Sequence, residues 1–276
     1  MDKKNRIFAI LNWKRDRAES VANNIVKKLS LNENDKLLIF YRGKDYEDIS
    51  KYPIETGSGI DFVPISEENG HNRAAALNFV YKHLKDNFKS AYGYVFYDIM
   101  QIKEDPRKFF DAIEEMMSKL HLDIWFNTYT DGCNFVFNKF DGRVSICINE
   151  PSLKAIYDKT IIWTSHSNPN LSIIDLDTFE IPSDGNTFDD RFEVPMFWII
   201  KFLCERARDK KGFMNHYPTI ADEIGVYKTG DFKGIEPSPE LMKKEDEMFR
   251  ALKLDHTPNQ NVEALMDFII ERLQCK

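Results

Sequence analysis

Four stretches of the sequence carry residue types that do chemistry. In Gly93-Tyr-Val-Phe-Tyr-Asp98-Ile-Met-Gln-Ile102, an aromatic, β-branched strand delivers one carboxylate to its C-terminal end. Ligands of open α/β sheets bind beyond the carboxyl ends of the strands, so Asp98 is positioned for a metal ion or a polar substrate. The plainer reading is that Asp98 caps the turn that follows. Leu11-Asn12-Trp13-Lys14-Arg15 follows the first strand with groups suited to meeting a base and a phosphate together; a solvated loop around a buried Trp explains it equally well. Gly70-His-Asn-Arg-Ala-Ala-Ala-Leu-Asn78 opens a helix with small residues and one guanidinium fork, Arg73, that matches phosphate. Phe188-Asp189-Asp190-Arg191-Phe192, with Glu193 after it, gathers carboxylates at a helix start, where acids also serve as caps and meet the positive end of the dipole.

The elements that must position these groups follow from hydrophobic periodicity. Short apolar runs predict strands over 6–11, 36–41 and 60–65, the last weakened by Pro64, and another leading into Asp98. Helical spacing predicts helices over 18–29, 72–84 and 106–120, with Pro106 in the first turn. This alternation predicts an α/β fold, a mostly parallel sheet covered by helices on both faces. Beyond residue 122 the pattern becomes mixed. Phe140-Asp141-Gly142 marks a hairpin between 135–139 and 143–147, and strands are expected at 161–163 and 171–174 around the polar loop 164–170. A helix is expected over 192–208, a connector over 230–239, and two closing helices over 239–252 and 261–273. The division this implies is 1–230 as the main domain (halves 1–120 and 121–230), with 231–276 as a helical extension.

Composition narrows the class. With 276 residues, 42% hydrophobic and 30% charged, the chain reads as an ordinary globule with a substantial core. No apolar run approaches the ~20 residues that cross a bilayer, and the N-terminal apolar run is too short for a signal peptide. Cys133, Cys147, Cys204 and Cys275 show no paired spacing and read as reduced cytoplasmic thiols. A net charge of -7 gives no global attraction to nucleic acid or anionic membrane. Basic residues nevertheless cluster at Lys14–Arg17 and at Arg206–Lys211.

Taken together and in order, these stretches resemble the nucleotide-sugar half of GT-A fold glycosyltransferases, particularly the family-2-like inverting enzymes. Asn12-Trp13-Lys14-Arg15 resembles the family's Thr/Asn-aromatic-Asn-Arg loop, and Gly70 to Asn78 its small-residue helix. Asp98-Ile99-Met100 matches its Asp-X-Asp in part, and Phe188-Asp189-Asp190-Arg191-Phe192 resembles its base-bearing Phe-Asp-Glu-Arg-Phe. The resemblance spans roughly 6–208. It implies donor-binding roles for Asn12, Trp13, Arg15, Arg42, Arg73, Asn78 and Asp98. It also implies a general base at Asp190, with Asp189 second and Glu193 third. A UDP-sugar donor is expected, with Mg2+ or Mn2+ held by Asp98 and helped by His216 or His166. Two departures stand out: Met100 replaces the second carboxylate, and Tyr41-Arg42-Gly43 replaces the family's acidic second-strand motif.

For the acceptor, a Lys-, Asn- and Phe-rich texture is similar to that of the T-even-type bacteriophage enzymes that add glucose to glucosylated hydroxymethylcytosine in DNA. This favours transfer of glucose from UDP-glucose onto modified DNA in the host cytoplasm. Trp163, His166, Arg208 and Lys211 are the acceptor-side candidates. A bacterial surface saccharide is the second acceptor, and a non-catalytic nucleotide-sugar or polysaccharide binder the reading from another class.

Overall fold

The runs 7–11, 37–40, 91–97 and 171–174 are buried at every position. Strands buried on both faces belong in the middle of a helix-covered sheet. The computed structural model describes residues 4–29, 31–43, 52–54, 59–98, 100–102, 106–120, 123–128, 134–138, 143–147, 160–164, 169–194, 198, 202, 214–216, 226–228 and 238–252. Twelve strands lie among them. The first six are β1 (Asn5–Asn12), β2 (Lys36–Arg42), β3 (Ile60–Ile65), β4 (Ala91–Tyr97), β5 (Met100–Ile102) and β6 (Ile124–Thr128). The others are β7 (Asn134–Asn138), β8 (Arg143–Cys147), β9 (Thr160–Thr164), β10 (Pro169–Asp175), β11 (Met214–His216) and β12 (Val226–Lys228).

The main sheet has seven strands in the order β11-β6-β10-β4-β1-β2-β3. Six run in one direction, and β10 alone is antiparallel to its neighbours β4 and β6. The chain steps outward from β1 to β2 to β3, then returns to place β4 on the other side of β1. The gap beyond the carboxyl ends of β1 and β4 is therefore a topological switch point, where open sheets bind ligands. β5 and β12 form a separate two-stranded ladder just past β4, and β8-β7-β9 form a third small sheet.

Alternation along β1 and β4 divides the core in two. Phe8, Ile10, Tyr92, Tyr94 and Phe96 face one cluster. It is roofed by Ala18, Val21, Ile25 and Leu29 of the helical segment 15–29 and by Phe110, Ile113 and Met117 of the helix Arg107–Leu120. Ile7, Ala9, Leu11, Val95 and Tyr97 face the other, against the helix Arg73–Asn87. That helix lies close because β4 offers Gly93: a Cβ there would meet Ile174 Cγ1 at 3.0 Å and Leu84 Cδ1 at 3.2 Å.

The expected α/β architecture is present, and the expected strands and helices of the first 120 residues lie within a few residues of their predicted bounds. Pro64 is accommodated because β3 is an edge strand, where a missing N–H costs no ladder bond. The hairpin of β7 and β8 and the strands β9 and β10 also agree with expectation. Of the helix expected over 192–208, the described residues Trp198 and Phe202 are helical, whereas 192–194 lie in a bend. The helix expected over 261–273 and most of the connector 230–239 lie outside the described residues. The helix Pro239–Ala251, expected as part of an extension, is anchored on the main core through Leu241, Met242, Met248 and Phe249. Its buried Glu245 accepts the backbone N–H groups of Glu193 (2.8 Å) and Val194 (2.9 Å).

One buried charge network holds β1 to the helix Arg107–Leu120. Arg6 donates from Nε to Glu114 Oε1 at 2.6 Å and from Nη2 to Oε2 at 2.9 Å, while Tyr94 donates its hydroxyl to the same carboxylate. Removing one member of such a pair leaves an uncompensated buried charge. Arg6→Met should therefore cost about 3–5 kcal/mol, read as a lowered urea midpoint with an unchanged slope.

Candidate active site at the strand ends

Asp98 is the first residue beyond β4, and its backbone N–H still bonds the Leu11 carbonyl at 3.2 Å. It is only 1% exposed. Its Oδ1 takes the guanidinium of Arg17 at 2.7 Å, and its Oδ2 takes the backbone N–H of Lys14 at 3.1 Å. Burial pushes the carboxyl up from its ordinary value, and the Arg17 charge pulls it back without fully offsetting the desolvation. Both oxygens thus hold the loop after β1 in place.

That loop is built from the same side. Buried Asn12 donates to the Lys14 carbonyl at 2.6 Å and accepts the hydroxyl of Tyr52. Asn12 therefore shapes the loop with its whole amide. Beside it the Arg42 guanidinium stacks over the Trp13 ring, 4.6 Å from the centroid, joining the ends of β1 and β2 into one flat, cationic face. Arg15 is exposed at the start of the helical segment 15–29.

The third contribution comes from the helix Arg73–Asn87. Asn72 caps it, accepting from Ala75 N at 2.9 Å, while its Nδ2 donates to the Asp190 carbonyl at 2.6 Å. Nearly two turns later the buried Asn78 grips Phe188 twice: it accepts the Phe188 N–H at 2.8 Å and donates to its carbonyl at 2.9 Å. The 186–191 loop is thus pinned to the N-terminal turn that carries Arg73. Arg73 lies near enough to Tyr97 and Asp98 to favour the charged form of each. The Tyr97 hydroxyl is buried with no hydrogen-bond partner among the described residues.

The two candidate bases have separated. Asp189 is buried, and Arg191 holds it from Nε at 2.8 Å and from Nη2 at 2.5 Å, so its carboxylate serves the loop. Asp190 is half-exposed, and its carboxylate accepts no hydrogen bond among the described residues. Glu193 is exposed. Asp190, not Asp189, has the availability a proton acceptor needs.

No protein-family model matches the chain, and no curated protein matches it in sequence. Solved structures do match. S. aureus TarS 1–349 in complex with UDP-GlcNAc superposes with a TM-score of 0.52 at 11% identity, covering 99% of this chain and 76% of that one. The complex of the same protein with UDP gives 0.50 at 11% identity, over 96% and 70% of the two chains. The chain has the GT-A fold.

Within this GT-A framework, the strand-end donor set does not fit a divalent cation. Both Asp98 oxygens are engaged. Met100, where the Asp-X-Asp pattern places a second carboxylate, is 1% exposed and packed into the core. Among the described residues no group of three His, Cys, Asp or Glu is placed to hold a metal. The expected pairing of Asp98 with His216 also fails on distance. The register runs Phe96, Leu171, Asn127, His216 across four neighbouring strands. His216 is therefore about 14 Å to the side of β4, further than ligand bonds of about 2.1 Å to one cation allow.

Of the acceptor-side candidates, Trp163 lies on β9 of the small sheet. His166, Arg208 and Lys211 lie outside the described residues. Sequence reasoning missed Arg17, Tyr52 and His71. Arg17 read as one of several basic residues open to phosphate, and nothing local distinguishes an inward-facing arginine. His71 sits on the rim with Nδ1 at 2.9 Å from the Glu68 carbonyl and Nε2 at 3.4 Å from the Asp190 carbonyl.

Both partners of His71 are acceptors, so only the imidazolium satisfies the pair. The Glu68 carbonyl raises its pKa most, burial opposes it next, and the Asp190 carbonyl with the Asp190 and Glu193 charges raise it further, so that the net shift is upward. A group raised in the folded state stabilises below its unfolded value, and that contribution disappears as pH climbs through the folded one. An NMR titration of the His71 ring should therefore give a midpoint above 6.5, and Asp190→Asn should lower it. Asn78→Ala strands two backbone groups of Phe188, each costing about 1–3 kcal/mol, and should lower the urea midpoint with an unchanged slope.

Proposed function

We propose that the chain is a nucleotide-sugar-dependent glycosyltransferase that transfers with inversion, with Asp190 as general base. One observation carries this reading. The Asn72 bond to the Asp190 carbonyl sets a carboxylate that accepts no hydrogen bond among the described residues beside the helix start that bears Arg73, at the switch point of a GT-A sheet. In the proposed reaction Asp190 takes the proton of the acceptor hydroxyl as its oxygen attacks the anomeric carbon. The bond from that carbon to the diphosphate breaks on the opposite face, which inverts the configuration. Arg73, with exposed Arg15, offsets the charge that builds on the leaving diphosphate. The Trp13–Arg42 face supports stacking of the donor base. Asn12, Asn78 and Asp98 act on the donor through the loops they hold. A UDP-linked hexose is the proposed donor. UDP-glucose is the first candidate, and UDP-GlcNAc joins it because the TarS complex contains it.

The proposed acceptor is a sugar hydroxyl. It is carried either by a bacterial surface saccharide or by glucose on hydroxymethylcytosine in phage DNA, with Trp163, His166, Arg208 and Lys211 on that side. The 184–193 segment carries Asp184, Asp190 and Glu193, exposed or half-exposed, against exposed Arg191, a net acidic stretch that supports an acceptor with little negative charge near the reacting hydroxyl. For DNA, phosphates would have to meet the basic cluster Arg206–Lys211 instead.

The test is UDP release from UDP-glucose and UDP-GlcNAc with oligosaccharides and with glucosylated DNA as acceptors. Turnover on DNA should fall steeply with salt, and turnover on a saccharide should not. Asp190→Asn should lower kcat by about 10²–10⁴-fold while leaving the UDP dissociation constant unchanged. Binding of UDP-sugars without turnover on any acceptor would sink the enzymatic reading, and equal kcat for Asp190→Asn would sink the base assignment.

A further inference from the structure

A divalent cation at this site has to sit on Asp98, and Asp98 is already neutralised from within the chain. Arg17 is 6% exposed and Asp98 1%, so their 2.7 Å pair is shielded from water and from screening by salt. Lys14 N–H takes the remaining oxygen at 3.1 Å. A dication could reach this carboxylate only by displacing the guanidinium, which separates a buried ion pair and sets Arg17 beside a doubly charged ion. The described neighbouring positions supply no replacement ligand. Met100 offers a thioether, which suits hard cations such as Mg2+ and Mn2+ poorly, and it is turned into the core. The ladder of β5 and β12 sets Lys228, not an acid, opposite Met100 in register. On the other side of β4, Arg73 is within electrostatic reach of Asp98. Among the described residues, the ionic groups that the fold places next to Asp98 are therefore basic.

We infer that this chain binds its nucleotide-sugar donor and turns it over without a divalent cation, Arg17 occupying the cation's place on Asp98 and Arg73 meeting the donor's charge. This rests on the glycosyltransferase reading. It changes what Asp98 does: the carboxylate orients the loop of Asn12, Trp13 and Lys14 through Arg17 and the Lys14 N–H, as a positioning residue, and does not bridge to the diphosphate through a metal.

The experiment is calorimetry of UDP with the full chain, once in EDTA and once in Mn2+. The two dissociation constants should agree within about threefold, and a loss of about tenfold or more in EDTA overturns the inference. Absence of UDP binding in both buffers removes the glycosyltransferase reading instead. The cation claim is then decided by electron paramagnetic resonance of Mn2+ titrated into the nucleotide-free chain. A bound Mn2+ signal that Asp98→Asn abolishes overturns it, and no such signal upholds it. With an active acceptor in hand, turnover should persist in EDTA, and dependence on added Mn2+ overturns the inference.

Discussion

The mouth of this protein depends on one buried ion pair, that between Arg17 and Asp98. The strand order leaves an opening beyond β1 and β4, but an opening is only a gap until something fixes the chain around it. Asp98 does so by binding the start of the first helical segment through Arg17 and the preceding loop through Lys14 N–H. Asn12 then closes the loop on itself and on Tyr52. Charged groups in water would hold nothing with such definition. Their burial makes the pair worth keeping together, because separating it exposes neither charge to solvent. The Trp13–Arg42 face is set by the same arrangement, since Trp13 is the residue between Asn12 and Lys14.

A second clamp of a different kind joins the far half of the site. Asn72 caps the helix that carries Asn78, and both reach the backbone of residues 188–190: Asn72 donates to the Asp190 carbonyl while capping Ala75 N, and Asn78 bonds Phe188 both ways. Amides suit this because each presents a donor and an acceptor to a backbone that has both. The consequence is that a loop more than 100 residues away in sequence is held in register with Arg73. Glu245 repeats the device from the C-terminal helix, taking the N–H groups of Glu193 and Val194. The segment from 186 to 194 is thereby tied at both ends, and the Asp190 side chain at its middle accepts no hydrogen bond among the described residues.

Much of this framework was legible in the residues. Short β-branched and aromatic runs alternating with 3.6-residue patterns imply a parallel sheet, because no other layering buries both faces of such strands. The hairpin of β7 and β8 followed from Asp141-Gly142, whose turn chemistry is local. The direction and placement of β10 did not. Leu171 to Ile174 are buried on both sides, and such a run has no polar face to reveal its neighbours or its polarity. Its insertion between β4 and β6, antiparallel, is settled by which strand edges remain available after the helices have packed. β11 and β12, three residues each, are too short for any period to appear.

The candidate site divides along the same line. The sequence by itself determined which residues stand at strand ends and helix starts, since chain order and periodicity place Asn12, Arg73, Asp98 and the 188–192 cluster there. Tertiary structure alone decided what each carboxylate is for. Asp189 and Asp190 are chemically identical neighbours, and only the turn of the backbone gives one to Arg191 and leaves the other at the surface. Asp98 is likewise an acid in the sequence whatever its task. It becomes an internal partner of Arg17 because the fold carries a guanidinium to it from 81 residues away and closes both off from water. Charge is written in the sequence, but solvation and pairing exist only once the chain has folded.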